Sequence, residues 1–159
     1  MLIRTTAIGL GLALATSMAA AQDQRPGYGP VVSLASAKKI AAGVIAECQK
    51  NNWNIAVAVV DTHGTLMFYE KMEDTQYVSA DIAIGKAKAA ATYRRPTRVF
   101  ADVINKGGPA TATLPGVFAS PGGVPIMVAG KVTGAVGVSG VQSQQDEQIA
   151  QAGIDALLK

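Results

Sequence analysis

One cysteine and one histidine in 159 residues exclude an intrachain disulfide, any CxxC metal or redox motif, HExxH and every multi-histidine metal site within the chain. Most hydrolytic zinc chemistry goes with them. Charged residues make up only 16% and aromatics 5% of the chain, and the 14 Lys and Arg outnumber the 11 Asp and Glu without clustering. That small basic excess is not the footprint of a nucleic-acid binder. No apolar run reaches the roughly 20 residues that a bilayer-spanning helix needs. What is present is 49% hydrophobic content, enough for one domain to bury a core without staples and too much for a disordered chain.

The N-terminus has the pattern of an address. Arg4, the apolar residues 7–15 and the small-residue sequence Ala19-Ala20-Ala21 before Gln22 read as a secretory signal peptide over residues 1–21. An apolar core of about nine residues is half of a membrane span, so the mature chain is expected to be periplasmic or secreted and to have no membrane span. Residues 22–32 hold Pro26, Gly27, Gly29 and Pro30, which continue neither helix nor ladder, and read as an extended arm. Residues 33–159 form the single domain.

Apolar residues at Leu34, Ala37, Ile40, Ala41, Val44, Ile45 and Cys48 recur at three and four, which predicts an amphipathic helix with Ser33 as N-cap. Two β-branched runs on either side of Asp61-Thr62-His63-Gly64 predict a hairpin, with Gly64 at positive φ. A helix rich in alanine opens at Ser79 and stops before Pro96. A short helix capped by Thr97 then leads into the loop 107–123, which is long enough to be functional. A second hairpin turns at Gly130-Lys131, and Ser143-x-x-Asp146 reads as a capping box opening the last helix. Hairpins rather than βαβ units imply an α+β fold, with a single antiparallel β-sheet of about five strands flanked by helices.

Four segments in this order carry a resemblance. They are VAVVDTHGTL, SADIAIGKAKAAATYRRPT, SPGGVPIMVAGKVTGAVGVSG and QDEQIAQAGIDAL. The chain resembles the GlcG/HbpS family, the haem-binding or haem-degrading domain also found at the C-terminus of PduO-type proteins, over nearly all of residues 33–158. The resemblance implies an antiparallel sheet with flanking helices, homo-oligomers from dimers to octamers, and haem as cofactor. It also implies a haem-sensing or haem-handling protein, and leaves open whether the domain has an enzymatic activity. Some members are accessories of small-molecule catabolism. A second expectation is therefore a small-molecule enzyme or binding accessory acting on hydroxy acids or carbonyl compounds, with its pocket at the Gly/Pro-rich loop.

Haem iron takes an axial His, Cys, Met or Tyr, and cations suit its propionates. His63, at the tip of the predicted hairpin, and Tyr69, on its second strand, are the axial candidates. Cys48, on the apolar face of the first helix, reads as a small buried hydrophobe, and Met67 and Met72 read as core or interface residues. Gly122 and Gly123 allow backbone N–H groups to approach an anion or carbonyl, or simply make a strand-entry turn. Lys86 and Lys88 point about 200° apart, whereas Lys86 and Arg94 share a helix face roughly 12 Å apart. Lys86 and Arg94 are therefore the ligand-binding cations expected from the sequence. Asp61 is either a turn-holding acceptor or a general base, with Lys86 as its catalytic companion. Asp146 and Glu147 read as helix-capping charges.

Overall fold

The computed structural model describes residues 25–158. The expected signal peptide lies outside the described residues. Helix α1 (Leu34–Asn51) starts where Ser33 accepts the Ser36 N–H at 3.1 Å, and it stops at Asn52, whose left-handed backbone turns its N–H onto Cys48 and Gln49 carbonyls. Ala37, Ile40, Ala41, Val44 and Cys48 form its buried stripe. Strands β1 (Ala56–Val60) and β2 (Leu66–Lys71) make the first hairpin, with Gly64 at φ +84°. Helices α2 (Ser79–Tyr93) and α3 (Arg98–Asn105) and a 3₁₀ turn at Pro109–Thr113 follow. A second hairpin, β3 (Gly123–Val128) and β4 (Lys131–Ser139), precedes α4 (Ser143–Leu157). Its turn is Ala129-Gly130, both at positive φ, one residue earlier than the sequence pattern places it.

The four strands form one sheet in the order β2-β1-β4-β3 with every pair antiparallel. Tyr28 adds an isolated parallel bridge to Val132. The two faces are furnished differently. One carries Val57, Val59, Val136, Val138 and Ile126 against α1 and α4. The other carries Ala56, Ala58, Val60 and Ala135 against Ala83, Ala87, Ala90 and Ala91 of α2. That second layer is thin because α2 lies almost on the backbone of β4. A Cβ at Gly137 would run into the Ala83 carbonyl and the Ala87 amide, so only glycine fits there.

Two caps differ from the sequence pattern. Thr97 has helical dihedrals and makes no cap; its hydroxyl donates to the Ser120 carbonyl at 2.6 Å and accepts from the Gly123 N–H at 3.0 Å. The strand-entry turn claims the side chain because its amide is buried and needs an acceptor. Helix α4 is capped by Gln142 with Gln145 in a reciprocal box, which leaves Asp146 for another partner. Glu147 pairs with Arg98 at 3.1 Å on the surface.

Candidate functional site

The turn 61–65 is the centre of the site. Asp61 Oδ1 accepts the N–H groups of His63 at 2.8 Å and Thr65 at 2.9 Å, an Asx-type turn that fixes the backbone carrying the imidazole. Burial pulls the Asp61 carboxyl upward, but the Thr65 and His63 N–H groups outweigh it and hold the pKa below the ordinary 3.8. The turn-holding role of Asp61 is thus the one its contacts describe. Thr62, nearly buried, sets its hydroxyl 3.4 Å from His63 Nδ1. The imidazole therefore has Nε2 as its second nitrogen for an outside partner.

Two lobes of one cleft border His63, with Thr92 common to both. The first, about 670 Å³, is lined by His63, Gly64, Thr65, Lys88, Tyr93, Pro115 and Gly116. The second, about 580 Å³, lies against Tyr28, Gly29, Pro30, Val31 and Thr62. Both fall in the size range of small-molecule sites. Lys88 is exposed and has no ion pair among the described residues, and its stem lies against Gly64. Tyr93 closes the far wall, with its hydroxyl on the Pro115 carbonyl at 2.6 Å and its ring edge-on to Phe100 at 5.1 Å.

The cation beside the histidine is thus Lys88, and not Lys86. Lys86 is 1% exposed; its ammonium donates to Asp146 Oδ2 at 2.7 Å and to the Val138 carbonyl at 3.0 Å. Asp146 also accepts the Val141 N–H at 3.2 Å, so it holds a buried counter-ion rather than a helix end. Burial lowers the Lys86 pKa and raises that of Asp146, each opposed by the bond to the other. The alanine stripe was the signal for this. Ala83, Ala87 and Ala90 surround position 86 on its own helix face, which is the face that meets the sheet.

The remaining sequence candidates scatter. Gly122 and Gly123 close over the Lys86–Asp146 pair, where added Cβ atoms would meet the ammonium and the Lys86 backbone. The Gly123 N–H is already taken by Thr97. Arg94 leaves the face it was expected to share with Lys86, because it is the left-handed C-cap of α2 (φ +56°). Its guanidinium binds the Pro26 carbonyl at 3.1 Å and covers the Tyr28 ring at 5.2 Å. Tyr69 sits opposite Ala58 on the alanine face, packed with Ile84, and lines neither lobe. Burial, then Asp81, raises its phenol pKa. Cys48 is fully buried, and burial, then Glu47 and Asp146, push its thiol up to about 12. It is a thiol, and no thiolate ligand.

The fold is a single-sheet α+β domain with helices on both faces and a surface cleft at the first hairpin. The family model described as "Haem degrading protein HbpS-like" matches residues 32–155. Protein GlcG of Escherichia coli strain K12 is 40% identical over 109 residues, covering 69% of this chain and 81% of that protein. The chain belongs to the HbpS-like family. Klebsiella pneumoniae protein ORFY superposes with a TM-score of 0.78 at 26% identity, over 85% of this chain and 96% of that one. A solved PduOC:haem complex superposes at 0.72 and 28% identity, over 79% of this chain and 94% of that one. Among the described residues there is no group of three or more His, Cys, Asp or Glu that could hold a metal ion, and no helix long and apolar enough to cross a membrane.

Proposed function

We propose that this chain binds haem in the cleft around His63, as an exported homo-oligomer. The observation that carries the reading is the meeting of an exposed imidazole, steadied through Nδ1, with the Lys88 ammonium, which has no ion pair among the described residues, at one cleft. This donor set suits the group: His63 Nε2 would offer the iron a lone pair, Lys88 would pair a propionate, and Tyr93, Pro115 and the arm would shield the ring system from water. Haem there would supply a redox-active iron whose reduction potential depends on the donor that holds it. The likeness to the PduOC:haem complex and the haem-degrading family description support the reading. The apolar run of residues 7–15 supports export, and the exposed Leu66, Tyr77 and Val78 at or near the edge strand β2 support assembly.

Hemin titration followed through the Soret band tests this. Wild type is expected to bind, with His63→Ala weakening binding by roughly tenfold or more, about 1.4 kcal/mol per decade. Unchanged binding by His63→Ala removes the assigned ligand. If hemin gives no spectral shift while hydroxy acids raise the Tm in a Lys88-dependent way, the cleft belongs to a small carboxylate instead.

A further inference from the structure

The second lobe has a wall that no candidate residue accounts for. Tyr28 belongs to the arm, yet it is held as firmly as a residue of the domain. Its hydroxyl shares its proton between the Thr92 carbonyl at 2.9 Å and the Ala91 carbonyl at 3.2 Å, at the end of α2 where the last carbonyls lack a following helical turn; the Ala91 carbonyl also accepts the Arg94 N–H at 3.3 Å. The arm's backbone is stitched to β4 by Gly29 N–H to Val132 O, Val132 N–H to Gly27 O and Val32 N–H to Thr133 O, all within 2.9 Å. Arg94 completes the anchorage. It adopts a left-handed backbone, a conformation that costs a residue with a Cβ about 1 kcal/mol or more, and so lays its guanidinium over the Tyr28 ring while bonding Pro26. Tyr28 as a residue still keeps 45% exposure and lines the lobe beside His63 and Thr92.

A ring fixed at its hydroxyl end, covered by a cation on one side and open to a cleft elsewhere is a preorganised stacking surface. Without the anchors, the arm would lose conformational freedom at the moment of binding. With them, that freedom is already gone. The charge above the ring is itself matched to the ring's negative face, so it holds the aromatic plane without occupying the cleft.

We infer that Tyr28 is a ligand-binding residue, the platform on which a planar conjugated ligand stacks at the His63 cleft, with Arg94 and the α2 carbonyls positioning it. This rests on the haem reading of the cleft. Stacking needs no iron, whereas ligation by His63 does, and the two contributions separate on that difference.

The experiment compares hemin with metal-free protoporphyrin IX, each titrated by absorbance and fluorescence into wild type, Tyr28→Leu, Tyr28→Phe and His63→Ala. Tyr28→Leu is expected to weaken both ligands by roughly three- to tenfold. Tyr28→Phe, which keeps the ring and loses its hydroxyl anchor, is expected to fall between wild type and Tyr28→Leu for both. His63→Ala is expected to weaken hemin alone. In wild type, the Tyr28 ring protons are expected to shift upfield on adding protoporphyrin, a readout independent of how any variant folds. If Tyr28→Leu binds both ligands like wild type, if Tyr28→Phe is as weak as Tyr28→Leu, or if the ring protons stay in place, the platform is overturned while the haem reading stands. Failure of wild type to bind either tetrapyrrole overturns the haem reading itself, and the platform with it.

Discussion

Replacing Asp146 with Ala removes a carboxylate 2.7 Å from an ammonium that is 2% exposed. Lys86 would then be left with the Val138 carbonyl alone in a site closed by Gly122. Breaking a buried pair from one side costs about 3–5 kcal/mol, because the surviving charge is neither solvated nor matched. Spread over about 130 ordered residues at about 2.1 cal/mol/K each, that loss lowers the Tm by roughly 10–18 °C. Lys86→Met alone strands Asp146 and should cost about as much. The double variant Lys86→Met/Asp146→Leu puts apolar atoms where both charges stood, and it is expected to return to within about 1–2 kcal/mol of wild type. Calorimetry of the four proteins at neutral pH gives the complete cycle. Additive losses, or an Asp146→Ala variant that loses less than about 1 kcal/mol, would refute the claim that the two charges exist for each other.

Further outcomes follow from neighbouring contacts. Gly122→Ala forces a methyl against the Lys86 ammonium, the Asp146 Cβ and the Val138 carbonyl at a φ of +122°; a loss of about 1–3 kcal/mol in urea denaturation is expected, and a neutral result would show the loop to be slack. Asp61→Ala frees the His63 turn and is expected to weaken hemin binding without unfolding the domain, as hemin titration and circular dichroism would register. Because the folded Asp61 pKa lies below its ordinary 3.8, its contribution is present above that value and disappears as pH falls through the lower, folded one. The stability difference between wild type and Asp61→Ala should therefore close in acid; a gap that widens there contradicts the assigned cause.

Local physics made much of the fold readable. Ser33, Gly64 and the three-and-four spacing of α1 report interactions spanning a few residues, and they place the first helix and hairpin within a residue or two. The Lys86–Asp146 pair joins residues 60 positions apart, and a local cue misdirects it, since an acid in a first helical turn is ordinarily a capping charge. In the candidate site, the Asp61 turn that carries His63 is legible because its hydrogen bonds span four residues at most. The two-residue spacing sets Lys86 and Lys88 on opposite faces of α2, and the fold buries Lys86 and leaves Lys88 exposed at the cleft. The sequence states the angle between two lysines, but only packing says which of them meets the sheet. Tyr28 lies in a segment whose prolines and glycines promise no element, and its role comes from contacts 63 and 64 residues away.

The contrast between the two faces of the sheet sets different rules for sequence drift. On the valine and isoleucine face, branched side chains exchange for one another at modest cost, since volume redistributes among many neighbours. On the alanine and glycine face, helix rests on strand, and one added carbon must lift the helix as a whole. The cleft opens at the end of that helix, where Lys88, Thr92 and Tyr93 stand over the first hairpin. The alanines therefore act as a spacer gauge: they set how far the Lys88, Thr92 and Tyr93 end of α2 stands from the hairpin, and with it the width of the cleft.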